Sequence, residues 1–184
     1  MATTKAPSGR EKLVVFSSAQ LQRTVERLAQ QIVEPRGASD DLVLIGIRKG
    51  GENLARRIQA HIRQRTGHAI PLGFLNITLY RDDDAPREMP ESDIAVDVSG
   101  KHVVIVDDVL FTGRTVRSAL DALTDLGRPK SVMLCVLVDR GLRELPIQAD
   151  YVGKFVPTAG SERVVVELRP EPDAADRVVI CESA

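Results

Sequence analysis

The sequence predicts an α/β fold in which a doubly wound, mainly parallel sheet carries a small β-rich hood at its C-terminal end. Two observations support this prediction. Segments with apolar residues at helical spacing alternate with short aliphatic runs as far as Asp139, which is typical of βαβ units. Beyond that point only short β patterns follow, and they are separated by Pro157, Gly160 and Pro170.

The chain is expected to begin with a helix, a strand and a second helix. Ser17 and Ser18 can cap the first helix, whose apolar face consists of Leu21, Val25, Leu28 and Ile32. Pro35 ends this helix, and the run Leu42–Ile47 predicts a buried strand. A second amphipathic helix follows, with an apolar face of Leu54, Ala55, Ile58 and Ile62.

An alternating strand and a polar loop come next. Leu75, Ile77 and Leu79 alternate with polar residues, which predicts a half-buried strand ending near Tyr80. The segment Arg81–Asp93 is rich in Asp, Glu and Pro, so we expect a mobile polar loop. A loop of this kind can close over a site and exclude water.

The centre of the sheet is predicted at Val103–Val106, a run that leads through a turn into a helix ended by Gly127. The apolar face of that helix consists of Val116, Ala119, Leu120 and Leu123. A further buried strand is expected at Val132–Val138. The β patterns of the hood are Tyr151–Gly153, Val164–Leu168 and Val178–Ile180.

Composition limits the classes of protein that the chain can represent. Its 184 residues are 43% hydrophobic and 28% charged, so we expect one domain over residues 13–184 after a flexible tail over residues 1–12. The formal net charge of −1 excludes a global basic field toward nucleic acid or membrane. No stretch resembles a membrane span or a signal peptide. Cys135 and Cys181 lie far apart, and a reduced thiol in a cytoplasmic protein is expected.

Two adjacent carboxylates, Asp107 and Asp108, follow the predicted central strand. Ligands of open parallel sheets bind at the carboxyl ends of the strands. Neighbouring carboxylates can accept hydrogen bonds from the vicinal hydroxyls of a ribose, and they can hold a divalent cation directly or through water. Taken alone, an Asp-Asp pair is also typical of a solvated strand end.

The turn that follows the carboxylates favours a ligand over that alternative. Thr112-Gly113-Arg114-Thr115 brings hydroxyls, a glycine and successive backbone N–H groups to a helix N-terminus, which suits a phosphate. An ordinary Thr-capped helix is the competing interpretation. Neither a Walker loop nor a Gly-x-Gly-x-x-Gly string occurs in the sequence. The three histidines, His61, His68 and His102, lack the spacing of a zinc site.

The run Val103–Thr115 resembles the signature strand and loop of the type I phosphoribosyltransferases. Leu75–Asp83 and Val138–Lys154 further resemble the PyrR family, which regulates pyrimidine operons and has uracil phosphoribosyltransferase activity. The resemblance implies transfer of ribose 5-phosphate from phosphoribosyl pyrophosphate (PRPP) to uracil. The products are UMP and pyrophosphate, and the cofactor is Mg²⁺ bound with PRPP. The fold implied is of the type I phosphoribosyltransferase kind, in a homodimer or homotetramer.

The resemblance also implies roles for individual residues. Catalytic roles fall to Asp107, Asp108, Lys49 and Arg81, and the two aspartates would hold the magnesium of PRPP, partly through water. The PRPP-binding residues would be Arg48, Lys49, Gly50, Tyr80, Arg81, Asp107, Asp108, Val109, Leu110, Phe111, Thr112, Gly113, Arg114 and Thr115. The base pocket would be lined by Phe111, Asp139, Arg140 and Val164.

One departure from the family raises a purine enzyme as a rival. The stretch that usually reads Ile-Lys-Thr-Arg-Gly is Ile47-Arg48-Lys49-Gly50-Gly51 here, which looks more like the Lys-Gly-Gly loop of hypoxanthine-guanine phosphoribosyltransferases. Those enzymes resemble one another in an aspartate just before Thr-Gly that meets the purine ring. Here Phe111 occupies that position, and its apolar side chain cannot do this. Uracil therefore remains the preferred base.

The regulatory role implies an RNA-binding surface on a pyrimidine operon leader mRNA, strengthened by UMP. Its candidate residues are Arg23, Arg27, Arg140, Arg143 and Lys154. Several family positions differ here: Arg-Gly-His-Arg becomes Arg140-Gly141-Leu142-Arg143, and Gly-Lys-Asn becomes Gly153-Lys154-Phe155. Each lost cation weakens attraction to phosphates. A nucleotide-sensing RNA-binding regulator with little catalytic activity is the second alternative function.

Overall fold

The computed structural model describes residues 10–78 and 96–182. The described elements, in chain order, are β1 (Glu11–Phe16), α1 (Ser18–Val33), β2 (Leu42–Ile47), α2 (Gly51–Thr66), β3 (Leu72–Leu75), β4 (His102–Leu110), α3 (Arg114–Leu126), β5 (Ser131–Asp139), β6 (Tyr151–Phe155), β7 (Glu162–Glu167) and β8 (Arg177–Glu182). Over these residues, no helix combines the length and the apolar character that a membrane crossing needs.

The main sheet contains five parallel strands in the order β3-β2-β4-β5-β6. From β2 the chain adds β3 on one side, and from β4 it adds β5 and β6 on the other side. This change of direction between β2 and β4 is the arrangement of a doubly wound sheet. The predicted fold class is therefore confirmed. Because all five strands run the same way, the residues that follow β2 and β4 meet at one edge of the sheet.

Helices cover both faces of this sheet, and each face has its own core. On one face α1 and α2 pack against the strands through fully buried residues such as Leu28 and Ile58. On the other face α3 contributes Val116, Ala119 and Leu123 to a second core. The strands β2 and β4 supply apolar residues to both cores, as expected of strands buried on both sides. Cys135 is buried in the first core, where burial raises the pKa of its thiol to about 12.

The hood is a three-stranded antiparallel sheet with the order β1-β8-β7, so it combines both ends of the chain. The sequence patterns located β7 and β8 but not β1. Glu11 and Lys12, which were assigned to the flexible tail, lie in β1, where Glu11 pairs with Cys181 of β8. Tyr151–Gly153, assigned to the hood, belongs instead to β6 of the main sheet. Both differences arise from pairings between segments that are distant in sequence.

Two strand boundaries also differ from the sequence predictions. The strand predicted to run from Leu75 to near Tyr80 is β3, which ends at Leu75. The Asn76 side chain accepts hydrogen bonds from the N–H of Thr78 at 3.1 Å and from its hydroxyl at 2.6 Å, and this local turn stops the strand. By contrast β4 continues past Val106 to Leu110, because its pairing with β5 persists as far as Leu110 and Asp139.

A buried ion pair fastens the C-terminal part of the hood to α2. Arg57 and Asp176 are 3% and 2% exposed, and an Arg57 guanidinium nitrogen lies 2.5 Å from an Asp176 carboxylate oxygen. Arg57 also donates hydrogen bonds to the carbonyls of Arg169 and Glu171. One turn earlier, the Asn53 amide donates to the carbonyl of Leu168 at 2.7 Å. The helix that starts at Gly51 thus also holds the hood.

Candidate active site

Two chain segments meet at the carboxyl edge of the main sheet. Arg48, Lys49 and Gly50 follow β2, and Asp107 and Asp108 lie near the end of β4. The two strands are hydrogen-bonded neighbours, with Gly46 paired to Val106. The structure therefore brings the predicted cations and the predicted carboxylates to one place.

The turn after β2 is held against the carboxylate pair. The Arg48 N–H donates to the Leu75 carbonyl at 2.9 Å, and Lys49 adopts a left-handed backbone conformation with φ of 74°. For a residue with a β-carbon, that conformation costs about 1–2 kcal/mol, and such strain is common at functional sites. A β-carbon on Gly50 would lie 2.7 Å from Oδ1 of Asp108 and 2.8 Å from Oδ1 of Asp107. The backbone at Gly50 is thus in direct contact with both side chains.

Gly51, the next residue, lacks space for a side chain for a different reason. A β-carbon on Gly51 would overlap the carbonyl oxygen of Val106, a backbone atom of β4 that has no freedom to move aside. Gly50 faces carboxylate groups that can rotate, whereas Gly51 faces fixed backbone. The sequence showed both glycines before the helix but gave no sign of this division of roles.

These two environments predict different outcomes for the same substitution. We expect Gly51→Ala to lower the free energy of unfolding of the domain by about 1–3 kcal/mol or more, the typical cost of overpacking. Gly50→Ala should leave thermal stability nearly unchanged and weaken the binding of a magnesium diphosphate at the carboxylates, because it displaces them. Urea unfolding and the affinity for magnesium pyrophosphate separate the two effects. Equal losses of stability in both variants would contradict this assignment.

The carboxylates differ in their surroundings. Asp107 is 4% exposed and accepts a hydrogen bond from the Asp108 N–H at 3.0 Å. Burial raises the pKa of the Asp108 carboxyl above its ordinary value, although hydrogen bonds to the backbone of Val109 and Asp108 and to the Asp107 side chain act in the opposite direction. A cation or a hydroxyl donor placed at this site would stabilise the ionised form.

The donor set here fits a magnesium ion that brings most of its own ligands. Among the described residues no group of three or more His, Cys, Asp and Glu side chains could form a closed metal cage. Two adjacent carboxylates remain, and Mg²⁺ typically binds to one or two carboxylates while it keeps waters and substrate phosphate oxygens. The residues therefore suit a metal that arrives with a diphosphate.

The predicted phosphate turn lies at the N-terminus of α3. Gly113 is the N-cap residue in a left-handed conformation with φ of 95°, and Thr112 accepts a long hydrogen bond of 3.4 Å from the Arg114 N–H. Gly113 has no side chain to cap the helix, so the N-terminus of α3, with Thr112 and Thr115 beside it, is a candidate anion cradle.

A second segment, which the sequence patterns missed, supports this turn from behind. The N–H groups of Glu144 and Leu145 donate to the Thr112 carbonyl at 3.0 and 3.2 Å. The Glu144 carboxylate also pairs with the Arg114 guanidinium at 2.8 Å. No local pattern could reveal this support, because Arg114 and Glu144 are 30 positions apart in the chain.

The four predicted base-pocket residues have different contacts in the structure. The Arg140 guanidinium lies over the Phe111 ring, 4.0 Å from its centroid. Asp139 instead pairs with Arg143 at 2.5 Å and accepts a hydrogen bond from the Gly141 N–H. Val164 lies in β7 and packs against the first core. Of the other predicted PRPP-binding residues, Leu110 is buried and Val109 is partly buried in β4, whereas Tyr80 and Arg81 lie outside the described residues.

The predicted RNA-binding residues fall into two separate groups. Arg23, Arg27 and Lys154 line a groove of about 370 Å³ together with Phe16, Gln20 and Thr24. Arg140 and Arg143 lie instead beside the phosphate turn, where Arg143 donates hydrogen bonds to the carbonyls of Phe111 and Ile147 at 2.8 and 2.9 Å. The first group is a basic surface, and the second group takes part in the internal structure of the site.

Comparisons with known proteins agree with this geometry. Residues 16–170 match the family model described as the phosphoribosyl transferase domain. The chain is 55% identical over 177 residues to the bifunctional protein PyrR of Chloroflexus aurantiacus, a match that covers 94% of this chain and 96% of the relative. It is 50% identical over 179 residues to the protein of the same name from Pelotomaculum thermopropionicum, covering 95% and 98% of the two chains.

Solved structures of purine enzymes share the fold. The hypoxanthine phosphoribosyltransferase of Trypanosoma cruzi superposes with a TM-score of 0.71 at 20% identity, covering 95% of this chain and 98% of that one. A hypoxanthine-guanine phosphoribosyltransferase of Bacillus anthracis gives a TM-score of 0.61 at 26% identity and covers 82% and 84% of the two chains.

Proposed function

The chain belongs to the phosphoribosyltransferase domain family and, within it, to the bifunctional PyrR proteins, and from this membership we propose that it converts uracil and PRPP into UMP and pyrophosphate. The observation that carries the proposal is the contact between the Gly50 backbone and the carboxylates of Asp107 and Asp108, next to the anion cradle at Thr112–Thr115. This arrangement supports the proposal, because the diphosphate, the ribose and the 5′-phosphate of one PRPP molecule would each have a place of its own.

The chemistry follows from where charge develops. The bond between C1 of the ribose and pyrophosphate breaks, a new bond forms between C1 and N1 of uracil, and the proton of N1 is released to the leaving pyrophosphate or to water. Positive charge grows on the ribose ring, where Asp107 and Asp108 hold the hydroxyls and stabilise it. Negative charge grows on the leaving pyrophosphate, close to the cations of Arg48 and Lys49. Magnesium bound with PRPP adds further positive charge at the leaving group.

Phe111 favours uracil over a purine as the acceptor. It stands immediately before Thr112 and Gly113 in the turn, and its ring is covered by Arg140. An apolar ring at this position can pack against a base but cannot exchange a proton with a purine ring nitrogen. The purine enzymes that share the fold are more distant in sequence than the PyrR relatives.

A substrate panel tests the proposal directly. With PRPP and Mg²⁺ we expect pyrophosphate release with uracil and a rate at least about 100-fold lower with hypoxanthine, guanine or orotate, in line with the discrimination that an unsatisfied polar edge can produce. The measurement is initial velocity with each base at matched concentration. Turnover of hypoxanthine without turnover of uracil would assign the chain to the purine enzymes instead.

We infer a second function, the binding of a pyrimidine operon leader mRNA, from the basic groove of Arg23, Arg27 and Lys154. Three of the six described residues that line this groove are cations, and none of the six is acidic. The Lys154 ammonium lies 5.4 Å from the centre of the ring of Phe16, another residue that lines the groove. Arg27 also donates to the carbonyl of Gly153, so its head group is fixed in place. In a homodimer or homotetramer each subunit would present one copy of this groove.

Salt dependence distinguishes this groove from a solvated surface. Lys154→Met and Arg23→Met should each weaken binding of the leader RNA and reduce the slope of log K against log salt by about 0.7–0.9, the value for one phosphate contact. Arg128→Met, at the opposite edge of the main sheet, is the matched control and should change neither quantity. The measurement is a gel-shift titration with and without UMP at several salt concentrations. Unchanged slopes in both groove variants would remove the groove from the RNA site.

A further inference from the structure

Arg140 is a buried arginine that joins the phosphate turn to the hood. It is 6% exposed, and the central carbon of its guanidinium lies over the Phe111 ring, 4.0 Å from the ring centre. On its other side, Nε donates to the Thr158 hydroxyl at 2.8 Å, and a terminal nitrogen donates to the carbonyls of Ala159 and Glu162 at 3.2 and 2.6 Å. The side chain is thus fixed by a ring on one side and by the chain leading into β7 on the other.

The hood segment that holds Arg140 is itself fixed. The Glu162 carboxylate accepts a hydrogen bond from the Ala159 N–H at 2.7 Å and pairs with Lys12 of β1. The Glu162 N–H also donates to the Ala159 carbonyl, so the turn over residues 159–162 is closed and is tied to β1 through Lys12. The position of the Arg140 guanidinium therefore depends on the turn over residues 159–162 and on the Glu162–Lys12 pair that ties this turn to β1.

Phe111 is fixed independently at its backbone. Its carbonyl accepts a hydrogen bond from Arg143 at 2.8 Å, and the Arg140 N–H donates to the Leu110 carbonyl at 3.0 Å. The backbone of the turn would keep its course without the Arg140 side chain. Only the ring of Phe111 depends on that side chain, because a half-buried ring can otherwise turn about its side-chain dihedral angles.

We propose that Arg140 is a positioning residue that fixes the Phe111 ring and thereby sets the affinity for the acceptor base. The inference rests on the proposed function, since it assumes that Phe111 faces the base. Arg140 acts through Phe111 and has no part in PRPP binding, which depends on Gly50, Asp107, Asp108 and the α3 cradle. A desolvated cation–π contact is strong enough to select one ring orientation.

The test compares the two substrates of the same reaction. We expect Arg140→Met to raise the KM for uracil roughly tenfold, the factor that corresponds to a partly desolvated cation–π contact, while the KM for PRPP stays within about twofold. Arg140→Lys keeps the positive charge but lacks the planar guanidinium, so its KM for uracil should lie between those of the wild type and Arg140→Met. Thr158→Val removes only the Nε acceptor and is the milder variant that carries the test if Arg140→Met does not fold.

The matched control is Arg57→Lys, which alters the other buried arginine that holds the hood. Within the described part of the chain, the hydrogen-bond partners of Arg57 are Arg169, Glu171 and Asp176, none of which belongs to the phosphate turn. This variant should lower thermal stability and leave the ratio of the two KM values unchanged. A similar change of that ratio in Arg57→Lys would show that general loosening of the hood is responsible, and it would overturn the proposal.

A double-mutant cycle decides whether Arg140 works through the ring. In a Phe111→Leu background, Arg140→Met should change the KM for uracil by less than about twofold, because the two residues act as one unit. A tenfold effect in both backgrounds would mean that Arg140 acts on the base directly, and the proposal would fail. Failure of the proposed function is separate, since the wild type would then not convert uracil. The same cycle would be measured with whichever base it does accept.

Discussion

The double substitution Asp107→Asn and Asp108→Asn should lower kcat/KM for uracil by about 10²–10³-fold, the range found when one preorganised electrostatic group is removed from an active site. The substitution preserves the size of both side chains and removes only their charge. Positive charge that develops on the ribose would lose its nearest stabilising partners, and the hydroxyls would lose their strongest acceptors. Steady-state kinetics at saturating Mg²⁺ measures the effect.

The fold should survive this change. Burial disfavours the charged form of Asp108 and raises its pKa, so a neutral amide there removes a desolvation cost. Asp121→Asn, on the exposed face of α3, is the matched control and should leave activity unchanged, because its partner Arg117 lies at the surface. Retention of more than a tenth of the wild-type kcat/KM by the double variant, with an intact fold, would remove both aspartates from the catalytic role.

The part of the site that the sequence could predict is the part that is local in the chain. The run Asp107–Thr115 spans the end of one strand, one turn and one helix start, so its residues are neighbours in space for the same reason that they are neighbours in sequence. The bounds were less accurate, because pairing with β5 extends β4 through the two aspartates. Local propensity does not record what a neighbouring strand does.

The supports of the site could not be read from the sequence, because they depend on distant segments. Arg140 was predicted both for the base pocket and for the RNA-binding surface, but no sequence pattern indicates that the hood folds over it and leaves it 6% exposed. Glu144 appears as one more charge in a polar stretch, yet it pairs with Arg114 across the turn. The same holds for β1, whose partner β8 is at the other end of the chain. Arg140 and Arg143, both proposed for RNA, make hydrogen bonds to the chain around the phosphate turn and the hood.

Asp176→Ala should lower the free energy of unfolding by about 3–5 kcal/mol, the typical cost of leaving one member of a buried ion pair without its partner. The Arg57 guanidinium would keep the Arg169 and Glu171 carbonyls but lose the carboxylate that neutralises it. The Asp176 carboxylate also accepts hydrogen bonds from the N–H groups of Arg169 and Asp173, at 3.0 and 2.9 Å. Urea unfolding measures the loss, and Asp121→Ala in an exposed pair should cost less than about 1 kcal/mol.

The contribution of Asp176 to the free energy of unfolding should depend on pH in a definite direction. Burial alone would raise the pKa of Asp176, but the hydrogen bonds from Arg169, Arg57 and Asp173 outweigh it and hold the pKa below the ordinary value of 3.8. The stabilisation is therefore complete above that value and is lost as the pH falls through the lower pKa of the folded state. Asp176→Asn should flatten this acid limb of the stability curve. If the wild type and Asp176→Asn lose stability in parallel below pH ~4, the range in which an ordinary Asp titrates, the ion pair does not hold the hood on α2.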